Sequence, residues 1–263
     1  MPSSAVPLGH SCLARRGITG MKQAEMLGES EVKAVDSAFM LRAFYVFAAL
    51  AVLSVGISIA GKWLGRSIVL AGHTEDTTIH EVVIGNNVLT VPANVTRFER
   101  SRRDGIAERL DLYLHWPTMT GYTAAARDDF NHVGASRKII FLSFEKQMMS
   151  RDMSGRFDPI YRSLITQPGV PGQGGITFYN FTEKSGYVNE VLAVAERGEG
   201  TPFVARCLSG ESAEQSLAPC ERDILIGDDL SLSYRFPKEL LPGWRALDAA
   251  VLTTAAGFLK TGR

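Results

Sequence analysis

Two cysteines give the clearest chemical signal in the sequence, because only twelve residues separate Cys207 from Cys220. Strand-like sequence flanks the pair, at 203–206 before the first cysteine and at 223–226 after the second. In an oxidising compartment such cysteines normally pair, and the bridge closes a loop of fourteen residues, worth about 3 kcal/mol on the chain-entropy model. Zinc fits less well, because it needs four ligands and no histidine lies within seventy residues of Cys207. We therefore predict a disulfide if this segment is exported, and a reduced, buried pair if it is not.

A second group of residues is suited to acid–base chemistry. Asp128, Asp129 and His132 lie together in the stretch RDDFNH, and His115 lies at the polar end of a predicted strand. Carboxylates beside imidazoles bind metal ions or move protons, so these four are the candidate catalytic residues. The alternative is structural, since paired aspartates before a turn commonly cap a helix. We predict no dedicated metal site and no bound cofactor.

Motifs of several enzyme classes do not occur in the sequence. HExxH, GxSxG and Walker loops are all lacking, which argues against zincins, hydrolases with a nucleophile elbow and P-loop nucleotidases. Ser143 and Lys146 match the SxxK pattern of serine acyl-transferases, but on a strand residues three apart face opposite sides. The sequence therefore contains no catalytic motif that its predicted elements support.

Four arginines, Arg97, Arg100, Arg102 and Arg103, fall within the stretch RFERSRRDGIAER. They are candidates for contact with lipid headgroups or other anions, because clustered guanidinium groups attract phosphate. Acidic residues in the same stretch neutralise much of this charge, so a solvated connection is the alternative interpretation.

The most apolar segment of the chain determines where these residues lie. From 43 to 61 it reads AFYVFAALAVLSVGISIAG, nineteen residues without a charge. A helix of this length covers about 28 Å, close to the roughly 30 Å hydrocarbon core of a bilayer. Arg42 precedes the segment and Lys62, Trp63 and Arg66 follow it, as is typical of headgroup interfaces. We therefore predict a transmembrane helix at 43–61.

This span divides the chain. Residues 1–42 are predicted to form a cytoplasmic tail, with Met21 as an alternative start, and residues 62–76 a juxtamembrane stalk. Residues 77–263 are predicted to leave the cytoplasm, whether the helix is kept as a signal-anchor or removed by cleavage after Ala60. The expected location is the inner membrane, single-pass, with the C-terminal domain in the periplasm.

Alternation of apolar and polar residues predicts the fold of the exported part. A hairpin opens it, with Gly-Asn-Asn at the turn, and after the last strand Pro242 begins a helix with an apolar stripe. Because strands dominate, we predict an α+β fold, mainly antiparallel, with a short internal helix at 158–165 and a C-terminal helix. The predicted strands are 79–84, 88–91, 110–116, 138–146, 176–181, 186–196, 201–207, 221–227 and 229–236.

Charge and small residues indicate the partners. With 28 basic and 28 acidic residues the chain has no overall field that would attract nucleic acid. Gly56 and Ala60, and then Gly61 and Gly65, are four apart in the span, which is compatible with a homodimer through this helix. The predicted partners are the lipid bilayer of the inner membrane and a protein of the envelope.

Three segments also carry a resemblance: RCLSGESAEQSLAPCERDI, DLSLSYRFPKELLPGWRALDAAV and VIGNNVLTVPANVTRF. In these the chain resembles uncharacterised transmembrane anchored proteins of α-proteobacteria. The resemblance spans the exported domain and implies an inner-membrane anchor with a periplasmic domain, and it implies no activity.

The sequence thus favours a membrane-anchored periplasmic domain that acts by binding, as a scaffold or assembly factor of the cell envelope. The first alternative is a periplasmic hydrolase or metal-dependent enzyme that uses the loop 128–132. The second is a membrane-proximal domain that contacts anionic headgroups through the arginines at 97–103.

Overall fold

The structure is a computed structural model that describes residues 37–70 and 72–260, with side chains described except at 62–70 and 135. The predicted tail up to position 36, with Met21, lies outside the described residues, and so do the side chains of Lys62, Trp63 and Arg66. The chain divides into two compact units between Ile59 and Ala60.

The first helix, α1, spans Ser37–Leu70 and so extends past the predicted span at both ends. Its part Ser37–Gly61 is 25 residues long and contains an 18-residue window with a mean hydropathy of 2.2, and it is the one helix in the described ranges with the length and composition to cross a membrane. The large apolar side chains of this part are exposed, which is unfavourable in water and favourable in hydrocarbon. Length and composition suit both an anchor and a signal sequence.

The second unit is built around two β-sheets. An eight-stranded antiparallel sheet has the order β4-β5-β11-β10-β9-β8-β7-β6, and a small mixed sheet has the order β2-β1-β3. The predicted α+β class, mainly antiparallel with a C-terminal helix, is confirmed. The strands are β1 (Ile79–Ile84), β2 (Asn87–Pro92), β3 (Gly105–Ile106), β4 (Arg109–His115), β5 (Ile139–Lys146), β6 (Val170–Pro171), β7 (Ile176–Asn180), β8 (Glu190–Ala195), β9 (Phe203–Leu208), β10 (Cys220–Ile226) and β11 (Leu230–Phe236), and the helices after α1 are α2 (Arg127–Phe130), α3 (Arg162–Leu164), α4 (Gly210–Gln215) and α5 (Trp244–Phe258).

One face of the large sheet forms the core beneath α5 and the β1–β2 hairpin. The apolar stripe of α5 includes Trp244, Leu247 and Val251, all buried as their helical spacing predicts. They belong to the same cluster as Leu232 and Phe236, which alternation directs to this face of β11. Complete burial of each such side chain contributes about 1.5–3 kcal/mol.

The opposite face of the large sheet is covered at its sides and open in the middle. At the β4 side, Tyr122 and Phe130 from the connection between β4 and β5 pack on Tyr113. Toward the other side, Phe157 and Tyr161 from the connection between β5 and β6 pack against β8 and β9. Between these two covers, β5, β11 and β10 present their outward side chains to an open cleft.

Several connections differ from the prediction, which included neither α2 nor the two-residue strands β3 and β6. The stretch 158–165, predicted as a short helix, forms a π-helical turn at Phe157–Tyr161 that is followed by the single turn α3. Pro159 has no N–H to donate, and the turn is closed in part by the Tyr161 amide, which donates to the Arg156 carbonyl over 3.1 Å. Helix α4 lies in the connection between the two cysteines, where polar turn residues predicted no helix.

Candidate binding cleft

The cleft on the open part of the sheet has a volume of about 610 Å³. Its floor consists of outward side chains of β4, β5, β11 and β10, which are neighbours in the sheet. Four strands at a spacing of about 4.8 Å give a floor about 14 Å wide. That width corresponds to roughly four residues of an extended chain.

The centre of the floor is a row of four polar side chains in cross-strand register. Asp111 on β4 is opposite Ser143 on β5, which is opposite Ser233 on β11 and then Asp223 on β10. The Ser143 hydroxyl donates to Asp111 over 2.5 Å. The two serines are small, so they leave space above the middle of the floor.

Segments outside the sheet form the walls. Met148 and Met149 lie just after β5, beyond Gln147, and are 87% and 54% exposed. Leu217, which is 42% exposed, lies between α4 and β10, and Arg97 lies between β2 and β3. Methionine is enriched at protein interfaces, where its flexible side chain adapts to the surface that it contacts.

The predicted disulfide between Cys207 and Cys220 is confirmed. The two half-cystines are opposite each other in the register of β9 and β10, with their Cα atoms 4.0 Å apart, and both are buried on the core side. The bridge therefore closes the connection that contains α4 and Leu217. It fixes the base of one cleft wall.

Three arginines of the cleft are neutralised by carboxylates. Burial raises the pKa of Asp223, and the nearby Arg156 guanidinium opposes that rise. These ion pairs hold charged side chains of the cleft in place within β4, between the β5–β6 connection and β10, and from β9 to β8 and β10. The pairs are Arg109–Asp111 at 2.9 Å, Arg156–Asp223 at 2.6 Å, and Arg206 with Glu190 and Glu221 at 3.4 Å each.

Arg97 and Arg235 differ from these three, because within residues 72–260 no carboxylate oxygen lies within 4.0 Å of either guanidinium. The Cζ atom of Arg97 lies 4.9 Å from the ring centre of Phe141. Arg235 is the cross-strand neighbour of Phe141, and it donates to the Ala218 carbonyl over 3.3 Å. Arg97 is one of the four arginines predicted to contact anions, whereas Arg235 was not predicted, and its one signal in the sequence is its outward position on β11.

The arginines predicted as an anion contact are distributed over different sites. Arg97 lies in the cleft wall, whereas Arg102 donates to two backbone carbonyls over 3.1 and 2.7 Å and has a structural role. Arg100 and Arg103 line a separate hollow of about 180 Å³ beside Ile106, which is 91% exposed.

Among the candidate catalytic residues, the structure brings His115 and Asp129 together, with Nε2 2.7 Å from a carboxylate oxygen. Asp129 also accepts hydrogen bonds from Ser136 and Lys138. The bonds from Ser136 and His115 hold the pKa of Asp129 at about 2, so this carboxylate is ionised and well satisfied. The pair fastens α2 to the end of β4.

Asp128 and His132 lie outside this pair. The side chain of Asp128 is 72% exposed, 3.7 Å from Arg127, and Nδ1 of His132 is buried without a hydrogen-bond partner among the described residues. None of the four candidates lines the cleft. Over residues 37–70 and 72–260 there is no group of three or more side chains placed to hold a metal ion.

No protein-family model matches the sequence, and no curated protein matches it. Among solved structures, an immunity protein of the Stenotrophomonas maltophilia type IV secretion system matches with a TM-score of 0.47 and 17% identity, over 72% of this chain and 96% of its own. The iron-regulated outer membrane lipoprotein FrpD of Neisseria meningitidis matches with a TM-score of 0.42 and 9% identity, over the same 72% and 96%.

Proposed function

We propose that this chain is a membrane-anchored binding domain of the cell envelope, which receives a protein partner in the cleft on its large sheet. The observation that carries the proposal is the open middle of the outer sheet face, between two sides that aromatic side chains cover. The open part is concave, charged and edged with exposed apolar side chains.

The composition of the cleft favours a protein over a small substrate. Arginine and methionine are enriched at protein interfaces, and five arginines line the cleft, with Met148 and Met149 at its rim. Ion pairs within β4 and between the β5–β6 connection and β10 hold the two aspartates of the floor before any partner arrives. A surface held in this way loses little conformational entropy on binding.

The enzyme alternative has less support. Its residues, His115 and Asp129, lie outside the cleft, and Asp129 is already bonded by three side chains. A general base needs a free lone pair in reach of its substrate. Binding is therefore the function that the geometry supports best.

We further propose that α1 is retained as an anchor in the inner membrane and that the domain lies in the periplasm. The disulfide supports an oxidising compartment, and the apolar part of α1 supports membrane insertion. Windows of twenty residues on either side of the span hold two basic residues each, and the whole tail before the span holds five, which mildly favours a cytoplasmic N-terminus.

A reporter enzyme fused to the C-terminus is expected to be active only outside the cytoplasm. A phosphatase that folds only in the periplasm should be active, and a galactosidase that folds only in the cytosol should not. Leu50→Lys together with Leu53→Lys should abolish export in the matched control, because each charge at the centre of a span costs about 2.5–3.5 kcal/mol. Galactosidase activity from the unaltered span would place the domain in the cytosol and overturn the proposed location.

Binding in the cleft is tested by photo-cross-linking in native membranes from position 148. We expect an adduct of discrete mass that disappears when Ser233→Trp fills the floor. Ser163→Trp places the same side chain on α3, outside the cleft, and should leave the adduct unchanged. An adduct that persists in Ser233→Trp would show that the partner contacts another surface.

A further inference from the structure

We infer that the partner presents an acidic segment, one carboxylate of which binds between Arg97 and Arg235 beside the ring of Phe141. This inference rests on the proposed function and specifies the chemistry of the ligand. Both arginines and the phenyl ring line the same cleft.

Phe141 is a neighbour of both arginines. Arg97 lies over its ring at 4.9 Å and also lies 5.0 Å from the ring of Phe98. Such stacking occupies the face of a guanidinium and leaves its N–H donors at the edge for a ligand. Arg235 is directly opposite Phe141 in the strand register, where neighbouring Cβ atoms are about 5 Å apart. A carboxylate that binds beside Phe141 is therefore next to both arginine residues.

The cleft leaves several hydrogen-bond donors open. The hydroxyls of Ser231 and Ser233 have no hydrogen-bond partner in the described part of the chain, and Arg235 is bonded to one carbonyl only. A partner that covered these donors without offering acceptors would pay their desolvation cost. The cleft carboxylates, in contrast, are already engaged: Asp111 and Glu145 by Arg109, Glu221 by Arg206, and Asp223 by Arg156.

Charge leads to the same ligand class. Five arginines and four carboxylates line the cleft, which leaves one positive charge. That excess is at the Arg97–Arg235 side, since the other three arginines are paired. Near Asp111 and Asp223 a second acidic group would be repelled, so the carboxylate of the partner has one favoured position.

The apolar rim distinguishes an acidic segment of a protein from a free oxyanion. Met148, Met149 and Leu217 present exposed apolar side chains beside the charged floor. A phosphate or sulfate ion has no apolar surface to place against them. A peptide of about four residues spans the floor and offers both a carboxylate and apolar side chains.

Affinity selection with defined peptide pools tests the inference on the full chain in lipid nanodiscs. One pool holds N-acetylated, C-amidated hexapeptides with Glu at the third position and mixed residues elsewhere, and the second pool has Gln there. We expect about tenfold stronger retention of the Glu pool, the effect of a charge-assisted pair. Arg97→Gln with Arg235→Gln should remove the preference. Arg162→Gln, an exposed arginine outside the cleft, should preserve it.

Equal retention of both pools by the unaltered protein would overturn this inference. If Ser233→Trp then abolished the retention of both pools, the peptides would still bind in the cleft, and the proposed binding function would stand. Failure to retain either pool, with the cross-link from position 148 intact, would likewise reject the acidic segment alone. Failure of both experiments would reject the binding function as well. Loss of the Glu preference in equimolar inorganic phosphate would assign the site to free oxyanions and overturn the inference.

Discussion

Replacing Asp248 by alanine is expected to lower the free energy of unfolding by about 3–5 kcal/mol, because it leaves a buried cation without its partner. Arg222 on β10 is 3% exposed, and its Nε atom lies 3.1 Å from the Asp248 carboxylate on α5. The Tyr234 hydroxyl donates to the same carboxylate over 2.6 Å, and Arg197 does so over 2.5 Å. One carboxylate therefore joins α5 to the large sheet through three donors.

The protonation of Asp248 gives the pH dependence of this contribution. Burial acts to raise its pKa, but Arg222, the Tyr234 hydroxyl and Arg197 outweigh burial and hold the pKa below its ordinary value. A carboxyl group whose pKa is lower in the folded than in the unfolded chain stabilises the fold. This contribution is complete above the pKa of the unfolded chain, about 3.9, and is lost as the pH falls through the pKa of the folded chain. The gap between the unaltered protein and Asp248→Ala should therefore narrow in acid.

Denaturant unfolding of the detergent-solubilised chain, followed by tryptophan fluorescence, measures the effect. Asp158→Ala is the matched control, because Asp158 is bonded to Arg162 over 2.6 Å while both side chains are mostly exposed. Its expected cost is within about 0.5 kcal/mol. Replacing both buried partners, with Arg222→Met and Asp248→Leu together, should recover part of the loss. Equal midpoints for Asp248→Ala and Asp158→Ala would contradict the account.

The elements could be predicted from local pattern, but this network could not. Alternation predicted nine of the eleven described strands, all but the two-residue β3 and β6, and spacings of three and four predicted that Trp244, Leu247 and Val251 share one face of α5. Asp248 belongs to the same face, and a carboxylate in an apolar stripe is itself a signal of a buried partner. The identity of that partner depends on strand pairing, because Arg222 lies 26 residues away on β10.

The cleft was even harder to predict from the sequence. Its floor depends on β11 lying between β5 and β10, an order that brings Asp111, Ser143, Ser233 and Asp223 into one row. Each of these residues alone reads as an ordinary outward residue of a half-buried strand. The paired acids and histidines of 115–132 were locally more conspicuous. The hydrogen bonds that Asp129 accepts from His115 and Ser136 explain why these side chains lie together, and no ligand is needed for that explanation.

The disulfide, in contrast, was predicted from spacing, and its position links stability to the cleft. Replacing Cys207 and Cys220 together by alanine is expected to lower the free energy of unfolding by about 3 kcal/mol, since the fourteen-residue loop is no longer closed in the unfolded chain. The same change releases the base of the wall at 210–218. It should therefore accelerate the exchange of backbone amides with solvent more in this segment than in β11.

The oxidation state is checked by thiol counting before stability is compared. Unfolded but unreduced protein should show one reactive thiol per chain, from Cys12, and all three cysteines after reduction. Reducing the unaltered protein should reproduce the stability loss of the alanine pair, and the alanine pair itself should not respond to reductant. Three thiols before reduction would mean that the cysteines are unpaired in the cell, and the disulfide would then no longer support an exported domain. If the disulfide is present and the unaltered protein and the double alanine variant nevertheless have equal unfolding midpoints, the closed loop contributes nothing to stability. The wall beside Leu217 is then held by its own packing.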